Sequence, residues 1–270
     1  MNHVSDAAQF FRFSLGQLNP ISEPGVEVRL GVADSWLVES GLVRNLSAHF
    51  ERFAKWVGEI DQSSSSQLDS FFEAVRAEIP RDGDYFPRIE HHLDAPSGER
   101  LHLRLRAAPQ LSPTVKLWLF NEPDPRQNPT VKGPDLSLGM QLRRKAKLHG
   151  ADEAVLLTKN GFVNEGALSS LVWWRGDVLC STPVEGADWL PSITRDSVFA
   201  LARDTGKSIR LEFAEPESLA DTEVWLLSSL QGIKPATGIF IGQEFVQFAT
   251  PSRAESFQRR LRLLSSSIEN

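Results

Sequence analysis

Glu165 stands where a strand-like sequence gives no reason for an acid. Phe162 and Val163 precede it, and Gly166, the small residues Ala167 to Ser170, and Leu171 follow. Apolar flanks turn its carboxylate toward an interior, where it is costly unless a cation or hydrogen-bond donors face it. The local pattern alone favours the plainer alternative, a solvated hairpin glutamate. Ile193 and Thr194 open a stretch of helical spacing, so their backbone N–H groups suit an anion, and Thr194 adds a hydroxyl. An ordinary helix-start threonine explains that residue type equally well. Leu101-His102-Leu103-Arg104-Leu105-Arg106 puts apolar residues on one face and titratable or cationic groups on the other. Arginines so placed bind carboxylates, although any half-exposed strand alternates in this way. Lys132 follows Val131 and precedes a Gly133-Pro134 turn, which sets its amine at a strand end. Most lysines in such loops are simply solvated.

These groups need elements to carry them. The apolar run at 154–157 reads as a buried strand, and Lys159-Asn160-Gly161 is a hairpin turn leading back through Phe162 and Val163. Before it, strands are expected at 10–13, 26–32, 35–38, 85–91, 101–105 and 115–119. Helices are expected at 46–60, with Asn45 as N-cap, and at 68–79, ended by Pro80. Strands mixed with two helices make an α+β domain over 1–120. Three prolines mark 121–129 as a linker. The region 130–270 forms a second domain. It has a basic helix at 139–149, whose charged face reads as solvated, and helices at 193–205 and 251–268. Its strands fall at 154–157, 171–174, 178–180, 208–213, 224–228, 238–241 and 245–248.

The chain has 270 residues, a net charge of -6 and a pI near 5.6. Mixed charge of that sign disfavours nonspecific nucleic-acid binding. A lone Cys180 rules out an intrachain disulfide and suits a reducing cytoplasm. No apolar run reaches membrane-spanning length, the start lacks a signal-peptide pattern, and the six histidines and one cysteine show no metal-ligand spacing.

Several short motifs fall in a telling order: Asp152-Glu153-Ala154, Asn160-Gly161, Glu165-Gly166, Ser169-Ser170 and Ser192-Ile193-Thr194-Arg195. A run follows from Ala220-Asp221 through Ser228-Ser229 to Ile233-Lys234-Pro235. In this the chain resembles the class IV pyridoxal-phosphate enzymes: branched-chain and D-amino-acid aminotransferases and aminodeoxychorismate lyases. The likeness covers the second half well and the first half loosely. Ser192 replaces a Gly of the family pattern, Ser170 an Asn, and Phe53 a Leu after His49-x-x-Arg52. Gly133-Pro134-Asp135 also departs from it, and the early strand reads Asp34-Ser35-Trp36-Leu37 where a Tyr is common.

The resemblance implies fold type IV, like D-amino-acid aminotransferase: a small N-terminal α+β domain and a larger C-terminal α/β pseudo-barrel domain, with pyridoxal 5'-phosphate in the cleft between them. It implies Lys132, reached by counting back across the basic helix, as the Schiff-base lysine. Glu165 becomes the partner of the pyridine nitrogen, and a cationic ring would explain a buried acid. Arg52, Ile193, Thr194, Ser228 and Ser229 would hold the phosphate, with Ser169 and Ser170 beside the ring. Arg104, Arg106 and Trp36 are the substrate-side candidates. The implied activity is amino-group transfer between an amino acid and a 2-oxo acid by a cytoplasmic homodimer. Elimination of pyruvate from aminodeoxychorismate and a non-catalytic scaffold remain the alternatives.

Overall fold

Alternation in the first third of the chain becomes a sheet with one buried face. A computed structural model describes residues 8–25 and 28–269. The chain divides into two compact units, and the first gathers its described residues from 1–110, 131–134 and 264–270. Its five strands are all antiparallel, in the order Gln17–Ile21, Gln9–Ser14, Leu101–Leu105, Arg88–His92, Leu30–Ser35. Phe11, Phe13, Val32, Ile89, Leu101, Leu103 and Leu105 turn to one side. There they meet Phe50, Phe53 and Val57 of the helix Leu46–Ile60 and Phe71 and Val75 of the helix Leu68–Glu78. Apolar residues at three- and four-residue spacing give each helix one buried stripe. Pro80 lies just beyond the second helix, because the residue before a proline disfavours the helical region.

Four expectations change here. Val26 lies outside the described residues, and the strand read as starting there starts at Leu30, with a register shift between Leu30 and Val32. The stretch 35–38 is broken: one strand ends at Ser35 and another, Val38–Glu39, begins in a second small sheet. The last helix stops at Arg262, and Ser265–Ser267 pairs with Leu42–Arg44. Three consecutive serines lack the apolar period that would extend a helical stripe. Finally, Val115–Leu119 and the proline-rich stretch belong to the second unit, while 131–134 returns to the first.

That return fixes residue 132. The Ala33 N–H donates to the Lys132 carbonyl at 2.6 Å, so the segment lies along the edge strand Leu30–Ser35. Gly133 follows with φ +151°, and a Cβ there would stand 2.8 Å from Val32 Cα and 3.0 Å from Ala33 N. Both neighbours are backbone and cannot swing away. Gly133→Ala is expected to cost about 1–3 kcal/mol. Urea denaturation checks this; a variant as stable as the parent contradicts it.

The second unit holds its described residues from 111–130 and 135–263. Its mixed sheet has nine strands and curls into a half barrel. The order is Val163–Gly166, Glu153–Leu157, Val115–Leu119, Gly232–Ile241, Val224–Ser228, Ser170–Arg175, Val178–Ser181, Ser208–Leu211, with Glu244–Gln247 paired to Gly232–Ile241. Three pairings are parallel. The helices Leu136–Leu148, Ile193–Asp204 and Ala254–Arg262 belong to this unit. Among the described residues no helix is long and apolar enough to cross a membrane.

Candidate active site

Within the first unit, polar groups collect where the edge strand meets the helix Leu46–Ile60. Arg52 donates through Nε to Asp34 Oδ2 and through Nη2 to Asp34 Oδ1, both at 2.8 Å. His49, one helical turn earlier, meets Oδ1 through Nδ1 at 2.9 Å. Lys132 Nζ lies 3.9 Å from the same oxygen. Burial pulls the Lys132 amine down to about 8; Asp34 opposes this, while Arg52, Arg88 and Arg106 add to it. Asp34 itself stays well below the usual carboxylate range, because Arg52, His49 and Lys132 outweigh its burial. A lysine with such a range is partly neutral near neutral pH, as a nucleophile or proton carrier requires.

The strand Leu101–Leu105 turns its leucines into the core. His102 and Arg104 therefore take the other face, with Arg104 opposite Arg88 and Phe10. The Arg104 guanidinium lies over the Phe10 ring, and its buried Nε has no hydrogen-bond partner among the described residues. Arg106 donates to the Phe86 carbonyl at 3.0 Å and stacks on that ring. Burial lowers it to about 10. Trp36 is 1% exposed within the first core, edge-on to Phe50 at 5.4 Å, and its buried Nε1 has no hydrogen-bond partner among the described residues.

Within the second unit, Glu165 sits on the strand Val163–Gly166. Its Oε1 accepts from Arg126 Nη1 at 2.6 Å and from the Leu190 N–H at 3.2 Å. Asp124 grips the same guanidinium through both carboxylate oxygens. Burial pushes Glu165 up to about 7, with Arg126 and the Leu190 N–H pulling it down. The chain thus supplies its own cation to this acid, so a cofactor ring is not needed to explain its burial. Asn164 donates to the Asp188 carbonyl at 2.8 Å. With the Leu190 contact, this ties the segment before the helix Ile193–Asp204 to the acid-bearing strand.

That helix is capped by Ser192, whose hydroxyl accepts from the Arg195 N–H at 3.2 Å. The first N–H groups of a helix have no partner within it, and here they belong to Ile193 and the buried Thr194. Arg195 lies 3.6 Å from the Trp189 ring centroid, with its buried Nε unpartnered among the described residues. Ser169 Oγ is likewise buried and unpartnered, beside Gly166. Ser170 begins the strand Ser170–Arg175, and the Ser228 hydroxyl accepts from the Gln231 N–H at 3.2 Å. Ser229 follows at the turn after Val224–Ser228.

The sequence reading missed Asp34, His49, Arg126 and Arg195 as participants. Arg126 fell inside a stretch read as a linker; its signal was an arginine two residues after Asp124 and six before Lys132. Asp34 lies in the early strand that lacks the family's tyrosine.

Glu153, from the Asp-Glu-Ala motif, is also buried, and burial pushes it up to about 7 against the pull of Arg143. A carboxylate raised in the folded state stabilises the fold below its unfolded pKa, and that stability is lost as pH rises through the folded value. Glu153→Gln is therefore expected to match the parent below about pH 4.5 and to exceed its stability above about pH 7 by roughly 1–3 kcal/mol. Parallel melts at acidic and alkaline pH test this; an equal difference at both contradicts it.

Comparison with known proteins identifies the family. The class IV amino-transferase family matches residues 31–239. The branched-chain-amino-acid aminotransferase of Escherichia coli K12 is 31% identical over 252 residues, covering 90% of this chain and 71% of that protein. The solved branched-chain aminotransferase of Thermoproteus uzoniensis with norvaline superposes with a TM-score of 0.77 at 18% identity, covering 96% of this chain and 99% of that one. A Mycobacterium tuberculosis aminotransferase in its PLP-bound form gives 0.73 at 16% identity, covering 96% and 98%. This chain has the fold-type IV architecture and belongs to the class IV aminotransferase family, enzymes that move an amino group from an amino acid to a 2-oxo acid.

Proposed function

We propose that this aminotransferase works with pyridoxal 5'-phosphate, with Lys132 and Glu165 as its two central residues. The donor set suits that cofactor: a lysine amine brought down to about 8, a buried acid whose charge Arg126 supports, and unpartnered donors at Arg195 Nε and Ser169 Oγ. When bound, the cofactor supplies a carbonyl carbon that takes the amino group and a ring that draws electrons from the substrate's Cα. Lys132 anchors it. With the cofactor bound, the freed Lys132 amine would be the base that takes and returns the substrate's Cα proton. Glu165 would be the acid that faces the ring nitrogen and supports a cationic ring. By the resemblance, the phosphate would be held by Arg52 and by the N–H groups of Ile193 and Thr194 and the hydroxyls of Thr194, Ser228 and Ser229. Ser169 and Ser170 lie beside Glu165 in sequence and serve the same ring. Arg104 and Arg106 meet the substrate carboxylate. The resemblance supports a homodimer, and the buried, unpaired Cys180 suits a reducing cytoplasm.

The observation that carries this reading is the depressed Lys132 amine at the edge of its sheet. Branched-chain amino acids are the first donors to assay, because the named relatives act on them. The expected result is oxo-acid formation that depends on an added 2-oxo acid acceptor. Pyruvate release from aminodeoxychorismate without any acceptor, and no transfer, overturns it.

A further inference from the structure

Asp34 lies at the centre of the first unit's polar cluster and is wholly buried. Its carboxylate accepts four hydrogen bonds: two from Arg52, one from His49 and one from the Ser35 N–H at 2.7 Å. We propose that Asp34 is a positioning residue of the transfer reaction: one buried carboxylate holds the Arg52 fork in place and sets the charge state of the Lys132 amine. The inference rests on the reading of Lys132 as the cofactor lysine.

Three cations act on Lys132: Arg52 from the helix Leu46–Ile60, Arg88 from the strand Arg88–His92, and Arg106 from the end of the adjoining strand. The acid that opposes them is Asp34, 3.9 Å from Nζ. Burial of His49 favours its neutral ring, which reaches Asp34 as a hydrogen-bond partner through Nδ1. Backbone geometry keeps the pair in register. Asp34 directly follows Ala33, whose N–H holds the Lys132 carbonyl, and Gly133 lies against Val32. The lysine's main chain and its amine are therefore addressed by neighbouring residues of one strand. An opposite charge within about 4–6 Å moves a titrating group by about 1–3 pH units. Without Asp34, the amine would keep its burial and its three arginines and lose the anion that offsets them.

A merely structural Asp34, one that anchors Arg52 and nothing more, predicts a different outcome. The test is competitive acetylation of the protein, freed of pyridoxal phosphate so that the Lys132 amine is available, with trace acetic anhydride across neutral and alkaline pH. The Lys132 peptide is read by mass spectrometry, since only the neutral amine reacts. Asp34→Asn is expected to lower the Lys132 midpoint by about one pH unit or more; an unmoved midpoint in folded protein overturns the proposal. Removing one partner of a buried ion pair can unfold a chain, whereas removing both is often tolerated. The same comparison is therefore made between Arg52→Met and Asp34→Asn/Arg52→Met. The midpoint should fall again in the double variant, and no fall overturns the proposal. Borohydride trapping of pyridoxal phosphate on the unaltered chain tests the reading of Lys132 separately. No adduct at Lys132 defeats that reading, whereas a trapped adduct with an unmoved acetylation midpoint defeats only the role of Asp34.

Discussion

Lys132→Met is expected to abolish amino-group transfer, with a loss of roughly 10⁴-fold or more in kcat/KM. A positioned proton-transfer group alone contributes roughly 10²–10⁴, and here the same amine also anchors the cofactor. The fold should survive. Lys132 is held by its backbone carbonyl on Ala33, which the substitution leaves alone, and methionine occupies a similar length without carrying a charge into a mostly buried place. Steady-state kinetics with a fixed 2-oxo acid give the number, and a circular dichroism melt confirms folding. A folded variant retaining more than about one hundredth of the parent rate falls outside that range and would contradict the assignment.

Glu165→Gln is expected to lower kcat by roughly 10²–10³, the scale of losing one preorganised electrostatic contact to a charge that matters in the transition state. The amide keeps the shape and still accepts the Leu190 N–H and an Arg126 donor, but no longer supports a cationic ring. Asp124 keeps both of its oxygens on Arg126, so the buried guanidinium retains a counter-ion and the second unit should stay folded. The loss should fall on kcat rather than on KM for the amino acid, because the substrate carboxylate is assigned to other residues. A variant with unchanged kcat and a raised KM contradicts the role given to Glu165.

Much of the fold was legible because period and punctuation agreed. The helix 46–60 was bounded correctly by its apolar spacing, and the second helix ends beside Pro80. The hairpin at Asn160-Gly161 has Gly161 at φ +83°, as its turn chemistry asks. What local pattern does not carry is the return of the chain. Residues 131–134 and 264–270 join the first unit through pairings with strands more than two hundred positions away at one end, and a polar serine run gives no hint of a strand. The site was legible where a motif repeated a family order, as at Glu165 and Thr194. It was not legible where a partner was chosen in space. Arg126 meets Glu165 across 39 positions, and Asp34 gathers Arg52 and Lys132 from separate segments. Trp36, a substrate-side candidate by its place in the early strand, lies buried in the first core, as its size and apolar surface favour.

The most direct test of the central claim is chemical. The purified protein is loaded with pyridoxal phosphate, cleared of excess, reduced with borohydride and digested, and the modified peptide is identified by mass spectrometry. A single reduced adduct on Lys132, with the visible band lost on reduction, is the predicted result. A folded protein that forms no adduct, or carries it on another lysine, would contradict the account.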